Sequence, residues 1–186
     1  MIAAWYFLRL WKATQQTRFL EHVAELIDFV EAVQLATGEI PYIVGSPYER
    51  ERAHYLCFQY NAYQFLHLAW SNEIKPGSWA ASVLAKLASF LEKGVQPTGA
   101  CANNCASAGG GGPEVDYYTA AQGAALYEAR RLGLGVNAEL SGRCYARVLA
   151  RQRPDGSWIN ENSRWLEGDA NLSTGYALLA LSYCKK

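Results

Sequence analysis

The chain has 186 residues, 51% of them hydrophobic and 18% charged, which is long enough for one well-buried core and too apolar for a disordered polymer. Its 17 basic residues are balanced by 17 acidic ones. That neutrality removes the cationic excess on which a dedicated nucleic-acid binder depends, and it leaves a single domain over residues 1–186 as the expectation.

The first eleven residues, Met-Ile-Ala-Ala-Trp-Tyr-Phe-Leu-Arg-Leu-Trp, are apolar on nearly every side. The stretch is too short to span a bilayer and has neither a basic leader nor a small-residue cleavage site, so no membrane span is expected. It reads as a core helix. Its apolar pattern is complete from Ile2 with no cap before it, which also suits a fragment of a longer chain, a missing partner domain or a homo-oligomer that covers the helix. The five cysteines, at 57, 101, 105, 144 and 184, are odd in number and mostly sit in apolar helical patterns. They are expected to be buried free thiols in a reducing, cytoplasmic setting.

Residues 18–34 place Phe19, Val23, Leu26, Ile27, Val30 and Val33 on one stripe with Glu21, Glu25 and Glu31 off it, the pattern of an amphipathic helix. Residues 79–93 repeat the pattern with Val83, Leu84, Leu87, Phe90 and Leu91, and 137–152 repeat it more weakly with Leu140, Cys144, Val148 and Leu149. A Gly-containing turn follows each: Gln34 to Gly38 and Ile40, Gln96 to Gly99 and Cys101, Gln152 to Gly156 and Trp158. After each turn comes a second helix, expected near 47–70, 113–133 and 169–184. Ser46-Pro47-Tyr48-Glu49 gives the first a capping box, Pro113-Glu114 repeats the proline signal, and Asp169 caps the last. No segment sustains the period-two alternation of a strand.

The chain is therefore read as all-α, with repeat units at 18–70, 79–133 and 137–184. One pair of helices cannot bury its own apolar face, so stacked pairs share a continuous core and curve. Aligning Gln59 with Gln122 and Gly175 superposes the second helices of the three units, two of them rich in Ala and Gly. Such small residues suit a crowded inner layer.

The segment Gln152-Arg-Pro-Asp-Gly156-Ser-Trp158, followed by Tyr176-Ala-Leu-Leu-Ala-Leu, resembles the repeat of the squalene-cyclase and protein-prenyltransferase superfamily. The first two copies keep Gln and Gly but have Ile40 and Cys101 in place of the tryptophan. The resemblance implies an α/α toroid, here a partial or open ring of six to seven helices, with ligands bound at the ends of the inner helices. The superfamily's functional residues do not carry over. Nothing is closer to a cyclase Asp-x-Asp-Asp motif than Glu114-Val-Asp116, and no Asp, Cys and His stand where a prenyltransferase holds zinc.

The alignment brings His54 and Tyr55, Tyr117, Tyr118 and Thr119, and Asn171, Ser173 and Thr174 to one rim. Related toroids include polysaccharide lyases and uronyl epimerases, in which Tyr or His moves the proton beside a carboxylate that Asn neutralises. His54 and Tyr118 are accordingly the candidate catalytic pair, since imidazole titrates near neutrality and a phenol can serve as acid. Tyr55, Gln59, Tyr117, Gln122 and Asn171 are the candidate ligand-binding residues. The competing reading is that aromatic hydroxyls near helix ends hydrogen-bond adjacent loops.

Cys101 and Cys105 supply two thiols for a zinc ion that structural sites hold with four ligands, so neither metal nor cofactor is expected. Gly109 to Gly112 follow no strand and precede no lysine, which suits a lid better than a phosphate loop. Arg143, Arg147 and Arg151 fall on one helix face, as a patch for a polyanion or partner or as a solvated face paired with Glu128 and Glu139.

Two functions follow. The first is a ligand-binding or scaffolding toroid of the cyclase and prenyltransferase type, taking an isoprenoid or glycan. The alternative is a carbohydrate-active enzyme, a polysaccharide lyase, hydrolase or uronyl epimerase, for which 12 tyrosines and six tryptophans offer stacking surfaces.

Overall fold

The computed structural model describes residues 1–47, 54–77, 79, 81–102 and 114–158, with 174, 175, 177, 178, 181 and 182. Among these residues there are six helices and no strand beyond one isolated bridge, Val95 to Cys101. The helices are α1 (Ile2–Thr14), α2 (Arg18–Val33), α3 (Cys57–Ile74), α4 (Ala81–Glu92), α5 (Asp116–Arg131) and α6 (Ala138–Ala150). Helical residues at 174, 175, 177, 178, 181 and 182 mark the element expected near 169–184.

Each helix packs as an antiparallel hairpin with the next, α1 with α2, α3 with α4 and α5 with α6, while α1, α3 and α5 contact one another in succession. The result is an α/α toroid-like arc, with α1, α3 and α5 as the inner layer and α2, α4 and α6 as the outer. Burial follows the layers. α5 buries thirteen of its sixteen residues, and among them Ala120, Ala121, Gly123, Ala124 and Ala125 let neighbouring helices approach closely. A β-carbon on Gly123 would press on that of Cys144 in α6. α1, at the end of the arc, buries only Ala4 and Leu8, and leaves Ile2, Tyr6 and Leu10 exposed.

The outer helices superpose residue by residue. Val23, Leu84 and Ser141 occupy one buried position and Val30, Leu91 and Val148 another, so the weak stripe of α6 is a genuine third copy. The turns after them share one geometry. The amides of Leu35, Gln96 and Arg153 each donate to the carbonyl four residues on, and Gly38, Gly99 and Gly156 each donate back to the first residue from a left-handed backbone. Gln96 thus stands where Leu35 and Arg153 stand, one place later than Gln34 and Gln152, and the repeat is built on the glycine. Gln34 Nε2 donates to the Gly38 carbonyl at 3.0 Å and to Val83 at 3.1 Å, tying the turn to α4, and Gln152 makes the equivalent of the first bond, to the Gly156 carbonyl at 2.9 Å.

The residue two beyond each glycine is fastened to the inner helix that follows. Ile40 donates its amide to Asn61 Oδ1, Cys101 to Thr119 Oγ1 and Trp158 to Thr174 Oγ1. These ties make Asn61, Thr119 and Thr174 equivalent. The superposition of Gln59 on Gln122 and Gly175 is therefore corrected: Tyr118 corresponds to Tyr60, and Tyr117 to Gln59. Trp158 is buried, and its indole N–H donates to the Val148 carbonyl at 2.6 Å.

Two further expectations change. The helix foreseen from Pro47 is described only from Cys57, after Leu56 with a left-handed φ of 45°; Tyr48 and Glu49 of the capping box, Pro113 and Asp169 lie outside the described residues. The five-free-thiol reading also fails. Cys57 is disulfide-bonded, while Cys101 and Cys144 are free and buried. The argument from thiols to a reducing compartment loses its basis. No helix among the described residues is long and apolar enough to cross a membrane.

Candidate functional site

The first turn and the start of α3 build the rim. Glu39, one residue past the turn glycine, is carried into the core and is 2% exposed. Its Oε2 lies 2.8 Å from Nδ1 of His54, whose side chain is 56% exposed. Burial raises the Glu39 pKa, and the His54 ring opposes that rise by hydrogen bond and charge. The carboxylate fixes Nδ1 as the bonded ring nitrogen, which leaves Nε2 for whatever reaches the rim. Left-handed Leu56, next along the chain, turns His54 and Tyr55 away from the axis of α3, at a backbone cost of about 1–2 kcal/mol.

Beside this dyad stands a cluster of phenols. Tyr42 lies 4.5 Å from Tyr60 and 5.6 Å from Tyr55 between ring centroids, and Tyr117 meets Tyr118 edge to face at 4.5 Å. Burial pushes the Tyr60 hydroxyl up to about 12, helped by Tyr42, Tyr55 and Tyr117, and it drives Tyr118 higher still with help from Tyr117, Tyr55 and Tyr60. These hydroxyls hold their protons at any physiological pH. The cluster can donate protons and hydrogen bonds, with Tyr42 and Tyr55 as its exposed members.

Of the residues foreseen from sequence, the structure brings Tyr55, Tyr117 and Tyr118 together and ties His54 to Glu39. Gln59 is buried in α3, with an Oε1 that accepts no hydrogen bond among the described residues. Gln122 is fully buried and faces the core: its amide donates to the Leu91 carbonyl and its Oε1 lies 3.9 Å from the Cys101 thiol. It fastens α5 to α4. Asn171, Ser173, Cys105 and Gly109 to Gly112 lie outside the described residues. Glu39, Tyr42 and Tyr60 were missed, although Glu39 follows the repeat glycine directly and Tyr60 occupies the register of Tyr118. A repeat aligned on its glycines would have singled out Glu39, whereas the register of Tyr60 needs the ties from Ile40 and Cys101.

The arginine stripe faces inward. Arg147 clamps Glu114 through two hydrogen bonds of 2.7 and 2.6 Å, Arg151 pairs with the buried Asp116, and Arg143 donates to the Gln96 carbonyl. Glu128 belongs to Arg131, which also holds Glu73. The patch expected for a polyanion is thus consumed by α5, α6 and the second turn. No group of three or more metal-ligating side chains occurs among the described residues.

From the tyrosine rim a groove runs between α1 and α3. Its first cavity, about 440 Å³, is lined by Ile2, Tyr60, Tyr63, Gln64 and His67; the second, about 500 Å³, by Trp5, Arg9, Lys12 and Glu73, with Trp70 common to both. Burial holds the His67 pKa below its ordinary value.

A solved polysaccharide lyase has this fold. It superposes with a TM-score of 0.72 at 15% identity over 97% of this chain, and this chain spans 58% of its length. At that identity the likeness is one of fold. No protein-family model matches the sequence, and no curated protein sequence matches it.

Proposed function

We propose that this domain binds acidic polysaccharide at the tyrosine rim and removes a proton beside a uronate carboxylate, as a lyase or epimerase does. The observation that carries the reading is the exposed His54 ring anchored by the buried Glu39 carboxylate, next in the chain to Tyr55, which belongs to the cluster that holds Tyr118. A histidine held by its Nδ1 and open at Nε2 is arranged as a general base. The neighbouring phenols, protonated at neutral pH, are the groups that can supply a proton to the leaving oxygen.

In elimination, His54 Nε2 takes the C5 proton, the C4–C5 double bond forms, the bond from C4 to the leaving oxygen breaks, and a tyrosine protonates that oxygen. Epimerisation shares the first step and returns the proton to the opposite face. Hydrolysis needs two carboxyl groups flanking the scissile bond. Here Glu114 and Asp116 are paired with arginines and Glu39 with His54, which favours histidine and tyrosine chemistry. The fold shared with a polysaccharide lyase supports the same choice.

The test is incubation with uronate polysaccharides, following the ultraviolet absorbance of the unsaturated product and the exchange of the C5 proton. His54→Ala and Tyr118→Phe should each abolish turnover with an unchanged helical spectrum. Full activity in both variants would falsify the assignment. Thermal stabilisation by prenyl diphosphates and not by any glycan would move the domain to the isoprenoid-binding class.

A further inference from the structure

The groove between α1 and α3 brings three features together. Trp5 and Trp70 stand 5.8 Å apart between centroids with planes tilted by 55°, and His67 meets Trp70 edge-on at 5.3 Å, so the floor is aromatic. Arg9 lies over the Trp5 ring at 5.0 Å and Lys12 follows one turn later, both exposed and neither in a salt bridge among the described residues. The acid that shares their cavity, Glu73, is held at 2.6 Å by Arg131. The cations are thus left facing open space. Nearer the rim, Gln64 has a buried Oε1 that accepts no hydrogen bond among the described residues, in a cavity it shares with Tyr60.

We infer that this groove is an extended binding site for an acidic oligosaccharide: Trp5 and Trp70 stack sugar rings, Arg9 and Lys12 pair with uronate or sulfate groups, and Gln64 receives a sugar hydroxyl. The inference rests on the glycan reading of the rim and gives it a direction, because Tyr60 belongs to both the rim cluster and the first cavity. From Tyr60 to Ile74 α3 rises by ~20 Å. That length holds several sugar rings, so a chain reacting at the rim extends along α1. Flat apolar faces suit stacking, and unpaired cations over them select anionic sugars from neutral ones. An isoprenoid would leave Arg9, Lys12 and Gln64 unanswered.

The experiment is calorimetric titration of the protein with a uronate disaccharide, a uronate octasaccharide and a neutral octasaccharide, repeated with the exposed double variant R9E/K12E. The octasaccharide should bind more tightly than the disaccharide. The double variant should lose about tenfold in affinity per cation for the octasaccharide, the scale of one charge-assisted hydrogen bond, and nothing for the disaccharide. Equal binding of the two lengths, an unaffected double variant, or a neutral octasaccharide that binds as well as the acidic one would overturn the groove while leaving the rim reading intact. Length-dependent binding without turnover would keep the groove and end the catalytic reading. No binding of any sugar would end both.

Discussion

Gly38 and Gly99 have no room for a β-carbon. One added at Gly38 would overlap the Lys86 carbonyl of α4, and one at Gly99 the Arg143 carbonyl of α6, whereas Gly156 is exposed and meets no outer helix among the described residues. All three carry φ between 84° and 95°, so alanine at any of them costs about 1–2 kcal/mol of backbone strain. Gly38→Ala and Gly99→Ala should cost a further ~1–3 kcal/mol as the next outer helix is pushed away. Chemical denaturation of the three variants checks this, and equal losses would show that the close approach is unimportant. Trp158→Ala should cost about 3–5 kcal/mol, as a buried aromatic does. Trp158→Phe tests the smaller part due to the bond to Val148. The glycines and Trp158 were legible in sequence as a motif. Why only glycine serves at 38 and 99 was not, because the obstructing carbonyls belong to helices some fifty residues away.

At the scale of elements, α5 and α6 are joined by an ion network whose acid response has a definite sign. Two hydrogen bonds from Arg147 hold Glu114 below the ordinary glutamate range. A carboxylate with a depressed folded pKa contributes stability that is complete above its unfolded pKa of ~4.3 and is lost as the pH falls through the lower folded value. Asp116 runs the other way, since burial raises its pKa against the pull of Arg151. Its ionised form costs stability that protonation restores. Glu114→Gln should therefore lower stability at neutral pH and flatten its decline on acidification, as read from urea midpoints at a series of pH values. Parallel acid limbs for variant and parent would remove Glu114 from the account. The register of these helices shows where periodicity alone misleads. Glutamine recurs at 59 and 122 but at different register positions, Gln59 matching Tyr117 and Gln122 matching Gln64, and only the ties from Ile40 and Cys101 reveal the offset.

For the whole molecule, layer position should order local stability. α5 is covered by α3, α4 and α6, whereas α1 packs on α2 and α3 and exposes Ile2, Tyr6 and Leu10. Amide exchange followed by mass spectrometry should be slowest in α5 and fastest in α1, since an amide opens as readily as its local contacts allow. Faster exchange in α5 than in α1 would contradict this arrangement of layers. Cys101 and Cys144 should resist thiol reagents until the fold opens, because burial raises both thiols, Cys144 to about 12.

The sequence by itself determined the helical class, the three outer helices and the three glycine turns. Amphipathic period and positive-φ turns are local properties, written within a dozen residues and indifferent to what lies across the core. It also marked Tyr55, Tyr117 and Tyr118 as neighbours, since two of them adjoin in sequence and the third stands just before the preceding inner helix. The tertiary structure alone decided the rest: that Glu39 reaches His54, that Gln122 is bound to Leu91, that the arginine stripe turns inward to Glu114 and Asp116, and that Arg9 and Lys12 line a cavity with two tryptophans and enter no salt bridge among the described residues. Each depends on which charge or carbonyl another helix brings within 4 Å. A side chain's partners are fixed by packing between segments distant in the chain, and no local pattern encodes them.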